Sequence, residues 1–126
     1  MQNYKDLKVW HKAHEFTVKI YEVTKQFPRE EIYGVTSQMR RAASSIPANI
    51  AEGCGKFTQL DFARYLNIAL GSANESEYFA LLSNDLSYLS IEHFEILNKL
   101  INEIKAMLIT LIKKVRLAND ADRPTT

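Results

Sequence analysis

Apolar side chains recur along this chain at alternating spacings of four and three residues, and that rhythm leaves few folds open. Val9, Ala13, Phe16, Ile20, Val23 and Phe27 keep it through the first segment. Such a stripe is the seam of a helix that buries one face against other helices. The spacing predicts a first helix from about Tyr4 to Phe27, ended by Pro28. Val35, Met39, Ala42, Ile46 and Ile50 place a second helix from Glu31 or Val35 to Glu52, with Gly53 at its C-terminal end. Leu97, Ile101, Ile104, Leu108, Leu111 and Val115 mark a fourth, which begins after Ser90 as N-cap. No segment joins alternate-residue patterning to β-branched and aromatic enrichment, so no strand is expected.

The third helix differs. Thr58-Gln-Leu-Asp61 resembles a capping box and starts it, and the pattern carries on to about Leu89. Its stripe is small: Ala69, Ala73, Ser76, Ala80, Ser83 and Ser87 follow heptad spacing. Small side chains let a neighbouring helix approach closely. Pro47 falls inside the second helix, where it removes a backbone hydrogen bond. A kink is expected there, with Ser44 and Ser45 serving the freed backbone groups. Four helices with short connections make an all-α, antiparallel up-down-up-down four-helix bundle over residues 1–118. Residues 119–126 read as a flexible C-terminal tail.

One bundle core does not use all the apolar surface. Trp10, Val18 and Tyr21 lie off the first seam, and Ile96, Ile109 and Ile112 lie off the fourth. Contiguous apolar surface outside a core marks an interface. The expectation is a homo-oligomer built through the outer faces of helices one and four. Composition sets the class. The chain has 126 residues, 46% hydrophobic and 25% charged, which suits one globular domain. No apolar run is long enough for a membrane span, and the N-terminus lacks the apolar stretch of a secretory signal. A single cysteine allows no internal disulfide. These features predict a cytoplasmic protein that makes no membrane contact.

Catalytic chemistry is poorly represented. His11 and His14 share a helix face at a spacing compatible with metal ligation, but no carboxylate in the same turn completes a site. Cys54 sits between two glycines with Lys56 nearby and no local histidine motif. No nucleophile elbow, P-loop, dinucleotide fingerprint or zinc-protease motif is present. The sequence therefore predicts no enzyme, no cofactor and no metal.

Charge is informative by segment. Sixteen Lys/Arg and fifteen Asp/Glu leave a net +1. Residues 1–27 carry five lysines against three acids, and residues 91–117 carry five basic residues against three acids. Residues 57–90 carry one basic residue against four acids. Basic charge thus lies on helices one, two and four. Arg40, Lys56 and Arg64 are the leading candidates for phosphate contact, with Lys8 and Lys12 second. Arg41, Asn49, Glu52 and Glu75 read instead as a structural polar network, in which Arg41 can pair with Glu75 across helices. An oligomer would repeat any basic patch and add phosphate contacts. The competing reading is a scaffold that docks a partner polypeptide.

Several stretches also carry a resemblance. Tyr4-Lys-Asp-Leu-Lys-Val-Trp10, Phe27-Pro28, Tyr33-Gly34, Gln38-Met-Arg-Arg-Ala42, Ser45-Ile-Pro-Ala-Asn-Ile-Ala-Glu-Gly53 and Ala69-Leu-Gly-Ser72 with Glu75 form one such series. It resembles the four-helix-bundle proteins encoded by intervening sequences of bacterial 23S ribosomal RNA genes. That family is similar to the accessory variability determinant proteins of diversity-generating retroelements. The resemblance implies a homopentameric barrel of bundles that binds RNA or DNA. In the retroelement relatives it also implies association with a reverse transcriptase. Those relatives are strongly basic, whereas this chain is nearly neutral.

Overall fold

The computed structural model describes residues 2–121, and they form four α-helices. These are α1 (Lys8–Thr24), α2 (Val35–Cys54), α3 (Gln59–Asp85) and α4 (Ile91–Ala121). Each helix packs on its chain neighbour, and α1 closes the ring against α4. The result is the antiparallel bundle that the seams require. Val9, Ala13, Phe16 and Ile20 are buried on α1, as are Met39, Ala42, Ile46 and Ile50 on α2. On α4, Leu97, Ile101, Ile104, Leu108 and Val115 are buried. The small stripe of α3 is inside as far as Ser83, with Ala69, Ala73, Ser76, Ala80 and Ser83 each 1% exposed or less.

The helix ends depart from the periodic reading for local reasons. Tyr4–Asp6 is a separate 3-10 turn, because Asn3 accepts the Lys5 N–H and Leu7 is extended before α1 begins. The α1 helix stops at Thr24, short of Pro28, whose ring disfavours helical backbone at Phe27. A second 3-10 turn, Arg29–Glu31, precedes α2. The α3 helix ends at Asp85 rather than near Leu89, because Ser87 takes a left-handed φ of 63°. That turn buries Leu89, and it sets Tyr88 against Phe27 with its hydroxyl donating to Glu31 at 2.8 Å. Ser87, the last member of the small stripe, is exposed. The α4 helix runs through Ala121, so Asn119 and Asp120 are helical, while residues 122–126 lie outside the described residues.

Pro47 is buried within α2, which continues through it. A proline at this position leaves the Ala43 carbonyl without its helical donor. The Thr17 hydroxyl of α1 is in reach, 3.0 Å from the Ala43 oxygen, and shares its one proton between that carbonyl and the Ala13 carbonyl of its own helix at 2.9 Å. Ser44 donates instead to the Arg40 carbonyl, and Ser45 accepts from Asn49 and Ser72. The freed group is thus satisfied across the helix interface and not by the adjacent serines.

Gly53 lies inside α2 rather than just past it, at a close approach to α3. A Cβ built there meets the Tyr65 Cβ at 2.9 Å and the Phe62 ring at 3.0 Å. Gly71, on the exposed face of α3, has nothing within 4 Å.

Two stability experiments follow from these contacts. Thr17→Val is expected to cost about 1–2 kcal/mol, because a buried carbonyl loses its donor. In a Pro47→Ala background the cost shrinks, since residue 47 then supplies an N–H; chemical denaturation of the four proteins measures the coupling. Gly53→Ala is expected to cost roughly 1–3 kcal/mol by overpacking. Gly71→Ala gains about 0.5–1 kcal/mol from helix propensity, read on the same denaturation curves.

Candidate nucleic-acid interface

Each helix–helix boundary carries a polar contact, and together these contacts dispose of much of the charge. Between α2 and α3, Arg41 pairs with Glu75 at 2.5 Å and donates a hydrogen bond from its Nε to Gln38. Between α3 and α4, Lys105 meets Glu77 at 3.0 Å. Between α1 and α4, Lys12 meets Glu103 at 2.9 Å. Between α1 and α2, the Arg40 Nε donates to the buried Thr24 hydroxyl at 2.9 Å. The Arg40 guanidinium also lies over the Tyr21 ring, 4.8 Å from its centre.

Several candidate residues therefore take other roles. Arg40 braces α1 against α2 through its Nε and the Tyr21 ring, a structural role the sequence reading did not give it. Lys12 is neutralised by Glu103: the hydrogen bond and the paired charge hold the lysine above its ordinary range and the carboxylate below its own. Asn49 joins the expected polar network through Ser45, which Ser72 of α3 also reaches. Glu52 does not join it; its carboxylate is exposed and meets no partner among the described residues.

Several of the other cations share one end by topology. In an up-down-up-down bundle, one end collects the start of α1, the end of α2, the start of α3 and the end of α4. Lys5, Lys8, Lys56, Arg64, Lys113, Lys114 and Arg116 all fall there, with Asp6, Glu52, Asp61 and Asp120 as the acids. Lys8 and Lys114 line one groove between α1 and α4, of about 370 Å³, with Leu7, Val9, Met107 and Leu111. Arg64 and Arg116 line another depression, with Leu60 and Asn67. Lys56 and Arg64 both lie against the Tyr65 ring, at 5.0 and 5.2 Å from its centre. Asp61 approaches Arg64 at 3.9 Å with both side chains about half exposed or more, an ion pair worth about 0–1 kcal/mol.

Sequence reasoning missed Tyr65 as a cation support and Phe57 as an exposed ring at this end. Phe57 is 88% exposed. Its signal was an aromatic residue off any stripe, directly after Lys56 and before the Thr58 cap.

The expected oligomer surface is also revised. Ile112 is 5% exposed and belongs to the core, since α4 turns it inward beside Leu108 and Val115. Trp10 is half-buried, stacked on His14 and packed against Tyr4. Val18, Tyr21 and Ile109 are exposed, each between 41 and 43%. On α3, Leu60, Ile68, Tyr78 and Leu81 are exposed too, a face the seam reading did not single out.

The residues weighed for catalysis are otherwise engaged. Cys54 is buried, and burial pushes its thiol above the ordinary range. His11 meets the Lys5 carbonyl at 2.6 Å, and His14 stacks on Trp10. Among the described residues, no group of three His, Cys, Asp or Glu side chains is placed to hold a metal ion. No helix among them is long and apolar enough to cross a membrane.

The Lys12–Glu103 pair has a pH signature. A lowered carboxylate pKa in the folded state adds stability above the ordinary value of 4.5. That contribution disappears as pH falls through the lowered value. The melting-temperature gap between the native chain and Glu103→Gln is expected to hold near neutrality and close in acid, as read by circular dichroism across pH.

Comparisons with known proteins agree with this architecture. A family model for the 23S rRNA-intervening sequence protein matches residues 5–110. No curated protein matches the chain. The chain is similar to a Bacteroides thetaiotaomicron protein of unknown function from the S23 ribosomal protein family, known from a crystal structure. The two are 37% identical with a TM-score of 0.78, over 83% of this chain and 98% of that one. On the extent of the family match and the likeness of the folds, the chain belongs to the 23S rRNA-intervening sequence protein family.

Proposed function

We propose that this protein is a non-enzymatic, self-associating helical bundle of the bacterial cytoplasm that binds RNA or other nucleic acid through repeated basic patches. The observation that carries this reading is the gathering of Lys8, Lys56, Arg64, Lys113, Lys114 and Arg116 at one end of the bundle. Three of the acids elsewhere, Glu75, Glu77 and Glu103, each face a cation on another helix. With Lys5, that end holds seven cations against four acids, so it is more positive than the net +1 of the chain implies. Phosphate contacts from such a surface release counterions, which makes affinity fall with salt.

Self-association is supported by exposed apolar side chains on three helices: Val18 and Tyr21 on α1, Tyr78 and Leu81 on α3, Ile96 and Ile109 on α4. The family resemblance favours five copies. A ring would present the basic end once per protomer and multiply weak contacts. The non-enzymatic part of the reading is supported by the buried Cys54 thiol and the engaged histidine pair. One observation favours a partner polypeptide instead. The groove between α1 and α4 is lined by the apolar Leu7, Val9, Met107 and Leu111 together with Lys8 and Lys114.

Binding of labelled RNA, measured across salt, tests the main reading. The plot of log affinity against log salt is expected to slope downward. Lys56→Ala with Arg64→Ala is expected to flatten that slope by roughly one unit per lost phosphate contact. A flat slope in the native chain, or no binding at low salt, overturns it. Light scattering at micromolar concentration is expected to give a mass well above one chain, and a monomer overturns the oligomer.

A further inference from the structure

We propose that the turn joining α2 to α3 binds unpaired nucleotides, with Phe57 as the stacking face and Lys56 and Arg64 as the phosphate contacts. This rests on the nucleic-acid reading above and narrows it to single strands.

Phe57 is the outlier among the aromatic side chains of its type. The chain has six phenylalanines, and the other five are buried or half-buried. Phe57 is 88% exposed, in the short link between Cys54 and Gln59. No aromatic ring or cation among the described residues is stacked on it. Yet the link is well tied. The Gly55 and Lys56 N–H groups donate to the Glu52 and Gly53 carbonyls, both at 3.1 Å. The Gln2 N–H donates to the Cys54 carbonyl at 2.9 Å, and Thr58 caps α3 by accepting the Asp61 N–H. A ring presented on a hydrogen-bonded turn loses little conformational freedom when a ligand stacks on it.

The charges beside it are also held in place. Tyr65 supports both Lys56 and Arg64 on its ring, and Gly53 admits Tyr65 close to α2. A cation lying over a ring keeps its remaining N–H donors outward. The acids at this end of α2 and α3 are Asp61, 3.9 Å from Arg64 in an exposed pair that a phosphate can displace, and the exposed Glu52. An exposed aromatic face beside Lys56, with Arg64 held on the same Tyr65 ring, matches a chain of alternating bases and phosphates. Bases in a duplex are stacked on one another and offer no free face to a ring at the tip of a turn. Single strands do, and stacking tolerates any base.

Fluorescence anisotropy tests this, with a short labelled oligouridylate and an RNA duplex of equal phosphate number as the two probes. The single strand is expected to bind more tightly. Phe57→Ala is expected to weaken it by roughly tenfold to a hundredfold, the range for loss of a stacked base. The salt slope stays the same, because no phosphate contact is lost. Phe57→Trp retains the affinity, and neither variant moves duplex binding. Since the ring is exposed, unchanged melting temperatures verify that both variants fold. Equal binding of the two probes overturns the inference, as does a Phe57→Ala variant that binds the single strand normally. Both outcomes leave a salt-dependent basic interface intact. Failure of both probes to bind at low salt overturns the broader reading as well. Phe57-dependent binding of an acidic peptide, with no RNA bound, overturns it in favour of a protein partner.

Discussion

Everything in this bundle depends on how closely α3 lets its neighbours approach. The inward positions Ala69, Ala73, Ser76, Ala80 and Ser83 form a seam with almost no side-chain bulk. Helices on either side bring the volume: Met39, Ile46 and Ile50 from α2, and Leu97, Ile101, Ile104 and Leu108 from α4. Interiors pack at near-crystalline density, so a thin seam on one helix needs long side chains on the facing ones. Ser83 reaches the Met39 sulfur at 3.4 Å, an instance of that pairing. Gly53 performs the reverse service on α2, where it admits Phe62 and Tyr65 of α3. The buried Ser76 hydroxyl has no partner among the described residues, and nothing in the structure explains why alanine does not stand there.

Polar contacts between helices act on alignment more than on stability. A fully buried Phe16 or Ile20 contributes about 1.5–3 kcal/mol. A half-exposed pair such as Arg41–Glu75 contributes about 0–1 kcal/mol. Yet each of the four boundaries has its own contact, and each fixes one axial offset between two helices. The Thr17–Ala43 bond is the strictest of these, because the proline that creates the need lies on one helix and the donor on the other.

The same contacts shape the electrostatics on which function would rest. Pairing Glu75, Glu77 and Glu103 inside the bundle neutralises its middle and leaves one end positive. Two features that look unrelated in the chain, the Gly53 contact and the Lys56–Tyr65–Arg64 cluster, are one construction. Close approach of α2 and α3 brings Tyr65 to the turn, and Tyr65 then holds the cations beside Phe57. Packing and the proposed chemistry of binding thus share residues at this end.

The sequence alone determined the four helices, their seams, the small stripe of α3 and the caps at Thr58 and Ser90, because helix periodicity and capping are local properties. It also carried the Arg41–Glu75 pairing, since both residues lie beside the seams of adjacent helices. It erred where the outcome depended on distant groups. Ile112 lies one position from the fourth seam, and only the packed ring of helices decides that the core is wide enough to take it. Arg40 and Lys12 read as free cations along the chain, and only the facing helix reveals Thr24 or Glu103 opposite them. Lys8, Lys56, Arg64 and Lys114 are scattered over more than a hundred positions and share one end only because the helices alternate in direction. Periodicity reports which face of a helix is buried; what that face meets, and which ends come together, is settled by tertiary packing.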